Sequence, residues 1–545
     1  MQVKVIIKYE DKKIQMKTEK GTNLLQLLYV NDIPIPSPCG GNGSCGKCRV
    51  KVNTGRGVIS AADLNLLTEQ EVERGYRLAC RTVIEDDMEI EILKEEGLQI
   101  LTDTMDRLIK FHPQKRPVRL YSDKRRDAGK KAFGLAVDLG TTTVAVYLLD
   151  LLTGGVVAVD SFANPQRKYG ADVLRRIDYA RRGEKELKEL QHILITELNR
   201  SIEKLITKID ITTNDIYYLA LAANTVMTHL FTGTDPSSLA RPPFRPVFTD
   251  PRELSPVELN IKINPRGRIQ IMPTVAAFIG SDIIAGLLVT DFNREEWNLL
   301  IDLGTNGEIV LGNRHKLLAC STAAGPAFEG ASITFGVAGV PGAISSFSIG
   351  RDGGINYKTI NNQVPVGICG SGLIDIVAGL LEYGIVSRTG LLREDIGQDI
   401  FKIRDYMDIR AVEIVAEDYT AIEGPILLTQ KDIREVQLAK GAIAAGINIL
   451  TKEAGISLAD VANIYLAGGF GSYINPHNAC KIGLLPRELE EKIRRAGNAA
   501  GLGAQSYLLD ERKREEAGLL AKKVEYIELS LRKDFQSEFI QAMDF

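Results

Sequence analysis

The chain has 545 residues, 44% of them hydrophobic and 25% charged, with a net charge of −3. That length exceeds a single hydrophobic core and points to roughly three or four domains. The near-neutral charge argues against nucleic acid or an acidic membrane surface as the main partner. No uninterrupted apolar run approaches the ~20 residues that span a bilayer.

The first residues, MQVKVIIKYE, alternate like a strand and lack the apolar core of a signal peptide, so a cytoplasmic protein is expected. Residues 2–7 and 13–18 alternate around the turn-like Glu10-Asp11 pair, which predicts a hairpin. Thr22 and Asn23 can cap a short helix whose Leu24, Leu25, Leu27 and Leu28 form one broad apolar face. A Gly-rich loop and further strands, ending near residues 88–93, complete a small α+β domain.

Seven cysteines in a long cytoplasmic chain indicate metal or redox chemistry before structural disulfides. Cys39, Cys45 and Cys48 share the loop Pro38-Cys39-Gly40-Gly41-Asn42-Gly43-Ser44-Cys45-Gly46-Lys47-Cys48, and Cys80 closes the set. Cys320, Cys369 and Cys480 stand far apart. The C-x5-C-x2-C spacing is one residue longer than the C-x4-C-x2-C of plant-type ferredoxins. Glycines suit such a loop because backbone must wrap inorganic sulfide closely and donate N–H bonds to it. Zinc is the alternative, but zinc knuckles usually carry two CxxC pairs. Here three ligands share one loop and the fourth is alone, which favours an iron–sulfur cluster. The loop resembles those of [2Fe–2S] ferredoxins, including the C-x5-C variety that serves hydroxylases. That resemblance covers about residues 1–95.

From Gly97 to Lys131 the pattern weakens and Lys and Arg accumulate, which reads as a solvated linker. A docking surface for an acidic partner is the alternative. Beyond it, strand-like runs alternate with helical stretches, indicating α/β architecture. Two strands end alike, in Asp138-Leu139-Gly140-Thr141-Thr142-Thr143 and in Asp302-Leu303-Gly304-Thr305-Asn306-Gly307-Glu308. The echo is too long for a solenoid repeat; two related α/β halves facing one cleft explain it. In each signature the glycine permits a tight hairpin, while threonine hydroxyls and loop N–H groups can hold phosphate oxygens. Asp138 would position Mg²⁺ or its water ligands, with the second signature on the other side of the phosphates. Further on, Leu466-Ala467-Gly468-Gly469-Phe470-Gly471 follows an apolar strand, and its paired glycines would admit a flat base and ribose.

Those three motifs, in that order, resemble the superfamily of actin, the heat-shock chaperone ATPases and the sugar kinases. More closely, the chain resembles the reductive activators of corrinoid-dependent methyltransferases, also called ASKHA ferredoxins. The carrying residues are the ferredoxin loop, residues 138–143, Asn164-Pro165-Gln166 with Gly170-Ala171-Asp172-Val173, residues 302–308, Gly367-Ile368-Cys369-Gly370-Ser371-Gly372, and residues 467–471. The resemblance implies a β-grasp [2Fe–2S] ferredoxin domain over 1–95, a linker over 96–131, a middle domain over 132–297 and a C-terminal domain over 298–545. The last two are the halves of an actin-like ATPase. It implies Cys39, Cys45, Cys48 and Cys80 as cluster ligands, and Asp138 and Asp302 as catalytic residues. Gly140, Thr141, Thr142, Thr143, Gly304, Thr305, Asn306, Gly468, Gly469 and Phe470 would contact ATP, with Mg²⁺ at the phosphates. One departure stands out: some such activators carry cysteine-rich C-terminal modules, and Leu531 to Phe545 holds no cysteine. Cys369 reads as packing rather than ligation. His229 reads as a satisfied helix-start histidine, and Asp282 either orients water or caps the helix carrying Ile283, Ile284 and Leu287.

In the resembling activators the target is a corrinoid that has slipped to inactive Co(II), and one electron restores Co(I). The expected partners are therefore a corrinoid protein or corrinoid-dependent methyltransferase and an upstream electron donor, in anaerobic metabolism, with a homodimer left open. Three alternatives stay open at this point: an activator of a 2-hydroxyacyl-CoA dehydratase, a small-molecule kinase with a redox domain, and an electron-transfer protein without ATP turnover.

Overall fold

The N-terminal alternation forms an antiparallel pair, Gln2–Tyr9 with Lys12–Glu19. The computed structural model describes residues 2–9, 12–31, 33, 35, 37, 41, 43, 46–55, 58–92, 131–170, 172–322, 327–330, 332–350, 354–394, 401–471 and 473–545. The expected Glu10-Asp11 turn and all of the expected linker except Lys131 lie outside them. Contacts divide the chain into two units, Met1–Gly97 with Pro165–Tyr179, and Leu98–Asn164 with Ala180–Phe545.

In the first unit a five-stranded sheet runs Lys12–Glu19, Gln2–Tyr9, Met88–Ile92, Arg49–Thr54, Tyr76–Leu78. Gln2–Tyr9 and Met88–Ile92 are parallel, and the other neighbours are antiparallel. Strand alternation puts Val3, Val5, Ile7, Met88, Ile90 and Ile92 in one core with Leu24, Leu25, Leu27 and Leu28 of helix Leu24–Val30. This is the β-grasp arrangement. Asn23 caps the helix, its Oδ1 accepting from the Gln26 N–H at 3.3 Å, while Thr22 pairs with Ile84 in a short strand. Ser60 and Asp63 form a capping box on helix Ala61–Leu66. The wholly buried Asp63 also accepts from the Leu78 N–H at 2.7 Å, fixing the strand that leads to Cys80. In the second segment of this unit, buried Arg176 donates from Nε to the Gly170 carbonyl at 2.9 Å and from Nη1 to Gln166 Oε1 at 3.5 Å.

Among the described residues the second unit contains two six-stranded sheets that share a plan over five of their strands. In the first, Phe133–Leu139, Thr143–Asp150 and Val156–Ala163 form an antiparallel meander, and Ile216–Ala223 and Arg268–Ile271 continue parallel to its first strand. In the second, Trp297–Leu303, Gly307–Gly312 and Leu317–Thr322 form the meander, and Val461–Ala467 and Ile493–Gly497 are the parallel strands. The sequence echo is thus a structural duplication. The first helix after Arg268–Ile271 is Ser281–Leu288, and the first after Ile493–Gly497 is Ala499–Leu509. These two helices pack so closely that a Cβ on Gly503 would lie 2.1 Å from the Ala285 carbonyl oxygen. They share a core with Ala136, Tyr147 and Ala220 of one sheet and Leu300, Val310 and Tyr465 of the other. Two smaller three-stranded sheets complete the second half.

Candidate functional site

In the ferredoxin-like unit, Cys48 and Cys80 are buried, while Cys39 and Cys45 lie outside the described residues. The Ala79 N–H donates to the Cys48 carbonyl at 2.8 Å, and Asn23 Nδ2 donates to the Cys80 carbonyl at 2.9 Å. These bonds tie both cysteines to the helix and sheet. Gly41, Gly43 and Gly46 have φ of +86, +68 and +67°, a left-handed backbone that L-side chains rarely adopt. At Gly43 a Cβ would meet the Arg81 guanidinium. Buried Cys48 on a loop with left-handed glycines, together with buried Cys80 outside that loop, fits a cluster whose sulfides need close backbone donors.

The other cysteines are packing groups. Cys369 sits at the N-cap of helix Gly370–Glu382 and donates from Sγ to the Ile344 carbonyl at 3.2 Å. Burial pushes the Cys480 thiol up to about 12. Burial and the negative charge of Glu308 push the Cys320 thiol far above its ordinary range.

The second unit presents two hairpin turns to one cleft. In the first, the Gly140 N–H donates to the Thr143 carbonyl at 2.9 Å, and a Cβ at Gly140 would lie 2.6 Å from that oxygen. Buried Asn164 holds the turn at both ends, donating from Nδ2 to the Gly140 carbonyl at 2.9 Å and from N–H to the Thr142 carbonyl at 2.8 Å. Asn224, which caps helix Thr225–Thr232, donates from Nδ2 to Thr141 Oγ1 at 3.0 Å. In the second turn the Gly304 N–H donates to the Asn306 carbonyl at 2.9 Å, and a Cβ at Gly304 would meet nothing nearer than 3.9 Å. The turns meet at their hydroxyls: Thr142 Oγ1 and Thr305 Oγ1 are 3.5 Å apart. Glu329 bridges them, accepting from Thr142 at 3.2 Å and from Thr305 at 2.9 Å.

Behind the turns lie four carboxylates. Burial pushes Asp302 up to about 8, helped by the charges of Asp282 and Asp138. Burial likewise takes Asp138 up to about 7, opposed by a hydrogen bond from Asn498 and raised further by Asp282. Burial raises Asp282 to about 6. It also raises Glu308 well above the carboxylate range, with Asp282 and Asp302 adding to the shift. Asn498, the N-cap of helix Ala499–Leu509, donates from Nδ2 to Asp138 Oδ2 at 2.9 Å and to Tyr147 Oη at 3.1 Å. The expected glycine pair divides its work. Gly468, at φ +87°, packs so that a Cβ would lie 2.4 Å from the Leu303 carbonyl and 2.5 Å from Asp302 Oδ1. A Cβ at Gly469 would meet nothing within 4 Å.

The cap reading of Asp282 is corrected. Gly280 is the N-cap of that helix, and Asp282 lies inside the first turn, its Oδ1 accepting from the adjacent Ile283 N–H at 2.9 Å. The carboxylate instead belongs to the acidic group. His229 is wholly buried inside its helix, with Nδ1 on the Thr225 carbonyl at 2.7 Å and Nε2 accepting from the Val247 N–H at 3.1 Å. Burial depresses its pKa, so the neutral ring serves packing. Sequence reasoning missed Glu329 and Asn498. An Asn after an apolar strand and before a helical run is a signal for Asn498; Glu329, in a Gly-rich turn, has none.

A β-grasp unit with a Gly-rich cysteine loop, on one chain with a duplicated α/β cleft of two threonine turns, defines a ferredoxin joined to an actin-like nucleotide-binding fold. Comparison with known proteins agrees. Residues 7–85 match the 2Fe-2S iron–sulfur cluster binding domain, 133–295 the RACo middle region, and 296–545 the C-terminal domain of RACo, the ASKHA domain. The corrinoid activation enzyme RamQ of Eubacterium limosum is 33% identical over 89% of this chain and 89% of its own. The [Co(II) methylated amine-specific corrinoid protein] reductase of Methanosarcina barkeri is 27% identical over 72% of this chain and 73% of its own. A solved structure, a reductive activator for corrinoid, iron–sulfur protein, superposes with a TM-score of 0.71 at 30% identity, covering 100% of this chain and 98% of that one. The chain belongs to the RACo family, with a [2Fe–2S] domain and a nucleotide-binding ASKHA domain.

Proposed function

We propose that this protein is an ATP-dependent reductive activator, which passes one electron to the inactive Co(II) corrinoid of a methyltransferase or corrinoid protein and returns it to Co(I). The observation that carries the reading is the combination, on one chain, of a ferredoxin cysteine loop with a two-turn nucleotide cleft, collinear with a corrinoid activation enzyme over 89% of its length. A cluster held by Cys39, Cys45, Cys48 and Cys80 would supply single electrons. Asn23 and Asp63 keep Cys80 and its strand in place for it.

In the cleft, Thr141, Thr142 and Thr143 with the Gly140 turn would hold phosphate oxygens from one side, and Gly304, Thr305 and Asn306 from the other. Gly468, Gly469 and Phe470 would border the adenosine. Asp138 and Asp302 would position Mg²⁺ or its water ligands at the phosphates. The chain would divide into a ferredoxin domain over 1–95, a linker over 96–131, a middle domain over 132–297 and a C-terminal domain over 298–545. Among the described residues no helix is long and apolar enough to cross a membrane; we assign the protein to the cytoplasm, where thiols stay reduced.

The test is anaerobic optical spectroscopy of a corrinoid protein mixed with chemically reduced activator. Loss of Co(II) and appearance of Co(I) that require both activator and ATP are expected. A Co(I) yield unaffected by ATP, with a demonstrated cognate partner, would remove ATP from the function.

A further inference from the structure

We infer that Glu329 discriminates ATP from ADP: its carboxylate holds the two threonine hydroxyls that the outermost phosphate needs, so ATP must displace it and ADP need not. The inference rests on the reading of the cleft as an ATP site and adds a selectivity to it.

Thr142 belongs to the turn of one α/β half and Thr305 to the turn of the other. Each hydroxyl has a single proton to donate. Glu329 takes both, at 3.2 Å from Thr142 and 2.9 Å from Thr305. A phosphoryl group is the same kind of acceptor, anionic and oxygen-rich, and competes for the same two protons. It also repels a carboxylate at that distance in a cleft already crowded with acids.

The glycine pair suggests which phosphate competes. Gly468 packs against Leu303 and Asp302, at the base of the second turn, and Gly469 beside it faces open space. With the adenosine bordered by this glycine pair, as the proposed function has it, the phosphates would run along the Asp302–Thr305 stretch before they reach Thr142. The phosphate that reaches both hydroxyls is therefore the outermost one of ATP.

Glu329 is mounted to act this way. Ala327 and Phe328 before it are buried. Gly330 after it, at φ +76°, lies so close to Val337 that a Cβ would come within 2.6 Å of its carbonyl oxygen. The backbone that carries the carboxylate is thus held on both sides.

The experiment is calorimetric binding of MgATP and of MgADP to the full-length, cluster-loaded chain, unaltered and as Glu329→Gln. Glutamine keeps the shape and removes the charge. A charged acceptor is exchanged for a neutral one, so ATP should bind about tenfold tighter to Glu329→Gln, while ADP stays within about twofold. An equal change for both nucleotides, no change, or weaker ATP binding overturns the inference. Failure of the unaltered chain to bind ATP at all sinks the ATP-site reading itself, and this inference with it. A second measurement needs no variant: hydrogen exchange of the peptide carrying Glu329 should differ between the ATP and ADP complexes. Identical exchange in the two complexes would count against the inference even if Glu329→Gln failed to fold.

Discussion

Burial raises the proton affinity of Asp138, Asp302, Asp282 and Glu308, which come from four different elements, and the charge of Asp282 adds to the rise at the other three. At neutral pH such a group is short of positive charge, which a magnesium–phosphate complex supplies. Asp138→Asn or Asp302→Asn should therefore lower ATP turnover by about a hundredfold or more, the order expected when a preorganised charge partner is lost. The visible spectrum of the cluster should be unchanged, since neither residue belongs to the cysteine loop. Unaltered turnover in both variants would take the pair out of the active site. The same shifts predict a pH dependence. Both aspartates hold protons more tightly in the folded chain than at the ordinary value of 3.8, up to about 7 and about 8. The folded state thus binds more protons than the unfolded state across that window, and stability falls as pH rises through it. In the presence of a chelator, Tm should drop by roughly a few degrees between pH 6 and pH 8. The drop should be smaller in Asp302→Asn. A Tm that climbs over this range would contradict the shifts.

The two hairpin turns share the letters Asp-Leu-Gly-Thr, yet their glycines face different surroundings. A methyl group on Gly140 would press into the Thr143 carbonyl at 2.6 Å, whereas one on Gly304 would find its nearest neighbour at 3.9 Å. Gly140→Ala should then cost about 1–3 kcal/mol as overpacking and weaken nucleotide binding with the turn. Gly304→Ala should melt with the unaltered protein. Thermal unfolding of the two variants side by side decides this, and equal losses would mean the turns are interchangeable. The contrast also marks where sequence reasoning stops. The strand alternation around Val3, Val5 and Ile7, the Asn23 cap and the duplicated turns were legible because each depends on near neighbours in the chain. The contacts of Glu329 with Thr142 and of Asn498 with Asp138 are not legible, because they cross 187 and 360 residues, although the cap role of Asn498 leaves a local signal. For Asp282 the sequence offers two roles, water orientation and helix capping. Its role depends on a cleft assembled from both halves, and no local pattern distinguishes that from a cap.

At the scale of the whole molecule, the question is why an electron carrier and an ATPase share one chain. A plant-type [2Fe–2S] cluster sits near about −400 mV, and a binding coupling of ~1–3 kcal/mol moves a one-electron potential by only ~40–130 mV. Binding energy alone gives a modest push, whereas hydrolysis makes the step directional. Under the proposed function, nucleotide and corrinoid protein each bias the other's binding, and by the same factor, because linkage between two ligands is reciprocal. A non-hydrolysable ATP analogue should tighten binding of the corrinoid protein by ~5–150-fold, the range of typical couplings. The corrinoid protein should tighten the analogue equally. Turnover is a separate matter: the analogue should support the complex without the full Co(I) yield that ATP gives. The measurement is a pair of anaerobic binding titrations, each partner with and without the other, followed by optical Co(I) yields with ATP, with the analogue and without nucleotide. Matching shifts in the two titrations, with a yield that needs ATP itself, would establish that nucleotide binding assembles the complex and hydrolysis drives the electron. Affinities indifferent to nucleotide would mean that the ferredoxin and the ATPase share a chain without sharing free energy.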